Sequence, residues 1–157
     1  MTSSEILAYL AGILDGEGCI GLYNSRSRTD TRSTHFQLVV RVTQKSPQAV
    51  ELLNQVFGGN MHTYTDVGPN KPGPYFSWRV TNNQAVGVLE KLQPYLREKR
   101  AQCDLALEFQ ARRREHKRGT RLTAEELEIR LQYVDKLKQF KHVKWPLTYF
   151  TATQGEQ

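Results

Sequence analysis

Two cysteines in 157 residues, Cys19 and Cys103, make no disulfide framework and read as small buried apolar residues of a reducing compartment. The longest apolar segment, Ile6 to Leu14, is too short to span a membrane, and no basic run precedes it. The four histidines (His35, His62, His116, His142) lack paired metal-ligand spacing, there is no C-x-x-C, and no lysine of the Walker type follows a glycine loop. These absences exclude a disulfide scaffold, a membrane span, a zinc site built on histidine pairs and a P-loop nucleotidase. What remains is a single intracellular soluble domain over residues 1–150, with residues 151–157 as a frayed tail, long enough to bury a core without staples.

Acidic residues are also in deficit, 16 against 22 Lys plus Arg, for a net charge of +6. The imbalance is local. Arg26, Arg28, Arg32, Arg41 and Lys45 face only Asp30 between Cys19 and Lys45, which suggests a polyanionic partner, although many basic domains bind no nucleic acid.

The chain is organised around Leu10 to Gly18, LAGILDGEG, where a helical pattern gives way to a strand pattern. Ala8, Gly12 and Gly16 recur on one helical face with Ala11 beside them, and small residues there allow close backbone approach. Each helical glycine costs about 1 kcal/mol relative to alanine, so a packing reason is needed, and a second copy of the helix would supply it. Gly16, Gly18 and Gly21 also spell G-x-G-x-x-G, but the dinucleotide fingerprint requires strand before glycines and helix after, and here the order is reversed.

Thr2 and Glu5 form a capping box for a first helix from Ser3 to about Asp15, apolar enough to be buried all round. From Cys19 the period becomes two. Ile20 and Leu22 alternate with Gly21, Tyr23, Ser25 and Ser27, and after a polar turn at Arg28 to Thr34 the row Phe36, Leu38, Val40, Val42 alternates with His35, Gln37, Val39, Arg41 and Thr43. Ser46 with Pro47 reads as the cap and first position of a second helix, which Gly58 and Gly59 stop. A second hairpin spans Asn60 to Thr81 around VGPNKPGP, with Phe76, Trp78 and Val80 facing the core and Tyr75, Ser77, Arg79 and Thr81 facing away. Asn82 or Asn83 can cap a third helix, with a bend or break at Pro94. A fourth helix runs through Glu115, where Arg112, Arg113, Arg114, Lys117 and Arg118 suit either the helix dipole or phosphate, and Thr123 with Glu126 opens a last helix that ends before Pro146. Two hairpins making a four-stranded antiparallel sheet, with helices on one face, is an α+β architecture. The other face is polar, aromatic and cationic. Solvent could own it, or it could read base edges in a major groove.

LAGILDGEG resembles the signature of the LAGLIDADG homing endonucleases, with Ile13 and Leu14 as the apolar pair, Gly16 for alanine and Glu17 for the second acid. The runs VTQK (Val42 to Lys45) and LQPYLREK (Leu92 to Lys99) are similar to further family segments. The resemblance implies a saddle-shaped sheet in the DNA major groove and, because only one motif is present, a homodimer on a near-palindromic site with Ala8, Ala11, Gly12 and Gly16 where paired helices touch. It further implies that Glu17 and the Gly16 backbone carbonyl hold Mg2+ or another divalent ion, and that Gln44 and Lys99 join Glu17 as catalytic residues that order water and stabilise charge. A Glu17 in an exposed turn with no metal is the plain alternative. Asp15 suits hydrogen bonding at the helix end better than ligation, and Gln48 stands where some relatives carry a basic residue that Lys45 or Arg97 would replace.

DNA contacts are assigned to Tyr23, Ser25, Ser27, Arg28, His35, Gln37, Arg41, Lys45, Thr63, Thr65, Tyr75, Ser77 and Arg79. The implied function is a site-specific double-strand DNA endonuclease, encoded within an intron as such proteins often are, in a plastid, a mitochondrion or a bacterial cytoplasm. The competing class is a binder on the same scaffold, either a splicing maturase on intron RNA or a non-cleaving DNA regulator.

Overall fold

The computed structural model describes residues 2–25, 35–65, 69, 73–116 and 121–140. Helix α1 (Ser3–Glu17) begins on the expected capping box: the Glu5 amide donates to Thr2 Oγ1 at 3.3 Å and the Thr2 amide to Glu5 Oε2 at 2.6 Å. It runs two residues beyond Asp15 and passes directly into β1 (Gly18–Ser25). Gly18 makes that junction possible, since a Cβ there would lie 2.3 Å from Leu14 Cδ1 and 2.6 Å from the Leu14 carbonyl oxygen.

Strand β1 pairs antiparallel with β2 (His35–Gln44) in the register Ile20↔Val40 and Leu22↔Leu38, so the apolar rows share one buried face. Helix α2 (Gln48–Phe57) starts one residue later than the Ser-Pro signal suggests. Pro47, in αR conformation, holds the cap position and no side chain bonds the first turn, because proline offers no acceptor and Ser46 lies one residue too far out. Gly58 (φ 67°) and Gly59 (φ 120°) end the helix in conformations that favour glycine, and the carbonyls freed there accept from Trp78 Nε1 (to Gly58, 2.7 Å) and Gln84 Nε2 (to Phe57, 3.2 Å).

The second hairpin, β3 (Asn60–Tyr64) and β4 (Tyr75–Thr81), joins the first through β4, for a strand order β1-β2-β4-β3. Trp78 and Val80 meet Val42 and Val40 across the β2–β4 seam, extending the buried face. Helix α3 (Asn82–Leu92) lacks the expected side-chain cap. Asn82, at φ 48°, turns Oδ1 instead to the Leu38 amide (3.2 Å) and to Arg113 Nη1 (2.9 Å). A 3-10 turn at Gln93–Tyr95 contains Pro94, the expected break.

Helix α4 (Arg100–Glu115) and helix α5 (Ala124–Phe140) complete the helical layer. The Glu126 amide donates to Thr123 Oγ1 at 3.1 Å, but the reciprocal half of that capping box is replaced by bonds from Arg112 (2.7 Å) and Arg130 (2.9 Å) to the Glu126 carboxylate. The core packs Leu10, Leu14, Trp78, Leu89 and Phe109 between helices and sheet, with Phe36 and Tyr133 on either side of Phe109 at ring-centroid distances of 5.9 and 5.6 Å. No helix among the described residues is long and apolar enough to cross a membrane.

Helix α1 is not buried all round in the single chain. Leu10, Ala11 and Leu14 face the core, whereas Ala8, Tyr9, Gly12 and Gly16 are exposed, with Tyr9 at 46%. Ala11 therefore corrects the expected contact stripe: it lies about 100° round the helix from Gly12, which turns it into the core of its own chain, where its exposure is 0%. A Cβ at Gly12 or Gly16 would meet nothing within 4 Å in this chain.

Candidate nucleic-acid interface and metal site

Glu17 and Gly16 lie exposed in the last turn of α1, at the mouth of the sheet. That turn carries no basic residue of its own, although a helix C-terminus presents unpaired carbonyls and partial negative charge. A cation arrives from 84 residues further along the chain. Lys99 Nζ donates to the Asp15 carbonyl, while Asp15 Oδ2 accepts from the Arg97 amide at 2.8 Å and Oδ1 from the Lys99 amide at 2.9 Å. Lys99 is half-buried and thus held one residue from the Gly16 carbonyl. Asp15 makes the helix-end bonds its position suggested.

Gln44, also half-buried, ends β2 opposite Phe76 and so lies on the helix-side face of the sheet. Among the described residues no three His, Cys, Asp or Glu side chains gather as a metal cluster. One exposed carboxylate with an adjacent carbonyl nevertheless fits Mg2+, which takes one or two carboxylates and fills its remaining positions with water and substrate phosphate.

The open face of the sheet is ordered in rows by the strand register. Cys19, Arg41, Arg79 and Asn60 form one row, Thr43, Ser77 and His62 the next, and Tyr75 with Tyr64 another. Tyr23 (48% exposed) pairs with Gln37, and His35, Arg41, Lys45 and Arg79 are exposed. Arg79 Nη2 donates to Gln37 Oε1 at 2.9 Å, and Lys45 Nζ lies 5.8 Å from the Tyr75 ring centroid. Ser25 is the last residue of β1, and Ser27 and Arg28 lie outside the described residues.

Two of the assigned contacts need correction. Ser77 is only 3% exposed, and its Oγ accepts from Thr43 Oγ1 at 3.0 Å, because the neighbouring strands on both sides cover a short side chain. Thr63 pairs with Phe76, which turns it to the helix-side face. Thr65, assigned with them, is exposed just after the end of β3. The β3 residues on the open face are Asn60, His62 and Tyr64, which the sequence reading missed: every residue of β3 is exposed, so no apolar alternation marks its register, and only pairing with β4 assigns its faces. The arginines closing α4 are engaged within the chain, Arg112 with Glu126, Arg113 with Asn82 and Arg114 with Asn83, while Lys117 and Arg118 lie outside the described residues.

Together these features make a four-stranded antiparallel sheet with one cationic open face, and a helix that ends in an exposed acid. No protein-family model and no curated protein matches the chain. Solved structures do. The homing endonuclease I-CvuI, in complex with the I-CreI target in the presence of 2 mM Mg with DNA not cleaved, aligns with a TM-score of 0.72 at 22% identity over 91% of this chain and 86% of that one. The archaeal intron-encoded homing endonuclease I-Vdi141I, complexed with DNA, gives 0.72 at 16% identity over 93% and 90%. The I-SmaMI LAGLIDADG homing endonuclease bound to cleaved DNA gives 0.65 at 18% identity over 86% of this chain but 44% of its own. The fold of this chain is that of the LAGLIDADG homing endonucleases.

Proposed function

We propose that this chain is a site-specific double-strand DNA endonuclease that acts as a homodimer on a long near-palindromic site with a divalent metal ion. The observation that carries the reading is the end of α1: an exposed Glu17, a lysine tied beside it, and a strip of small residues with no cover in the single chain. Two such helices packed along Ala8, Gly12 and Gly16 would bring two Glu17 carboxylates side by side beneath the duplex, one for each strand. Glu17 and the Gly16 carbonyl would hold the ion. When bound, such an ion neutralises phosphate charge, activates a water and stabilises the leaving oxygen.

The remaining roles belong to the chain itself. Lys99 presents a compact cation to the scissile phosphate, and Gln44 orders water at the strand end. Arg41, Arg79, Gln37, Tyr23, His35 and Tyr75 face base edges, where arginine matches guanine and glutamine matches adenine, while Lys45 meets the backbone. His62, Tyr64 and Asn60 extend that surface across β3. The likeness of the fold to DNA-bound endonucleases supports duplex DNA as the partner.

The test is cleavage selection. The protein and its Glu17→Gln variant are incubated with a randomised duplex library and Mg2+, and the cut ends are sequenced. Discrete double-strand cuts at a near-palindromic site, absent in the variant, are expected. Specific binding without cutting would replace the nuclease with a regulator, and intron RNA binding that assists splicing would indicate a maturase.

A further inference from the structure

Asp15 stands two residues before Glu17 on α1, in a turn where helix physics disfavours it. An acid near a helix C-terminus opposes the macrodipole, and aspartate is a weak helix former. The structure supplies the compensation. An ionised carboxylate accepts only, and its two oxygens can serve two donors at once; here they take the amides of Arg97 and Lys99, 82 and 84 residues away in sequence. The Lys99 ammonium returns to the backbone carbonyl of the same Asp15. One residue thus binds the lysine at both ends, main chain by its carboxylate and side chain by its carbonyl.

We propose that Asp15 is the positioning residue for Lys99. It clamps the segment between the 3-10 turn and α4 onto the end of α1, so that the ammonium, with donors left over after one bond, is aimed past Asp15 toward Gly16 and Glu17. An asparagine could not do this. Its single acceptor oxygen would keep one amide, and its NH2 group would oppose the other. Relative to the proposed nuclease activity, the inference names a residue that touches neither metal nor DNA yet sets where the catalytic cation stands. Its kinetic part rests on that reading; its geometric part does not.

The geometric part is tested by NMR on protein carrying 15N-labelled lysine. The Lys99 ammonium protons should exchange slowly in the native protein and quickly in Asp15→Asn. Unchanged exchange in the variant would overturn the proposal, whether or not the protein cuts DNA. The kinetic part uses single-turnover cleavage of the selected duplex, with affinity for that duplex measured separately in Ca2+. Asp15→Asn should slow cleavage about 10–100-fold, the usual scale for a supporting residue, while leaving affinity within about twofold. The double variant Asp15→Asn/Lys99→Met should be no slower than Lys99→Met alone. Affinity falling in step with rate, or losses that multiply, would make Asp15 merely structural.

Should Asp15→Asn fail to fold, Arg97→Pro deletes one of the two donors from the other side, at a site where Leu96 already has the extended conformation (φ −68°, ψ 141°) that precedes proline. Measured against Arg97→Ala, it should show the same faster exchange and slower cleavage. Native protein that cuts no duplex would remove the nuclease reading and leave the exchange measurement to decide the clamp.

Discussion

Adding one methyl group at Gly12 separates the contribution of α1 to its own chain from its contribution to a partner. A Cβ there meets no heavy atom within 4 Å in the single chain, so Gly12→Ala gains helix propensity without a clash. That gain is about 1 kcal/mol, a roughly fivefold shift in the folding equilibrium and about 2–4 °C in Tm for a domain of this size. Against a second copy the sign reverses. Each protomer brings one methyl into the same seam, overpacking costs about 1–3 kcal/mol per site, and the dimer loses roughly 2–6 kcal/mol. Its Kd should then rise at least about thirtyfold.

Sedimentation equilibrium reads the association, and urea unfolding at protein concentrations below and above Kd reads the stability. The expected pattern is a variant that is more stable than the parent when dilute and less stable when concentrated. A variant that gains stability at both concentrations and dimerises as before would refute the assignment of this stripe to the dimer.

The Arg79–Gln37 hydrogen bond couples two side chains of the proposed DNA face. Arg79→Ala and Gln37→Ala should relax base preference at overlapping positions of the selected site, each by about 1–3 kcal/mol of discrimination; uniform weakening on all sequences would assign them to phosphate instead. Replacing Glu126 by glutamine leaves Arg130, 5% exposed, without its carboxylate and should cost about 3 kcal/mol in urea unfolding. The Arg112 hydrogen bond, helped by Arg130 and opposed by burial, holds the Glu126 carboxyl below its ordinary value of 4.5. Its stabilisation is therefore complete above that pH and is lost as pH falls through the lowered native value, so the parent and Glu126→Gln should converge in acid. Burial, then Asp104, pushes the Cys103 thiol up to about 12, and the thiol donates to the Leu89 carbonyl at 3.7 Å. Cys103 should resist a thiol reagent until denaturant opens the core, and rapid native labelling at that residue would contradict the packing.

Local patterns in the chain were sufficient for the elements. The capping box, the two-residue period of β1, β2 and β4, the glycine stop after α2 and the break at Pro94 are each dictated by groups within a few residues of one another, and such constraints survive without a fold. Glu17, Gly16 and the small-residue stripe likewise share one helix by their spacing alone. Tertiary structure decided what depends on a neighbour across the chain. The faces of β3 follow only from its pairing with β4, which puts His62 rather than Thr63 on the open side. Ser77 is closed by its neighbours and Ala11 by the core beneath α1, and exposure of a small side chain is a property of what surrounds it. The arginines ending α4 found Glu126, Asn82 and Asn83 within the same chain. Asp15 and Lys99, 84 residues apart, meet because α1 and the start of α4 converge at the mouth of the sheet. A sequence states which groups are available; the distance between them, and so the strength of any hydrogen bond or charge, exists only once the chain has closed.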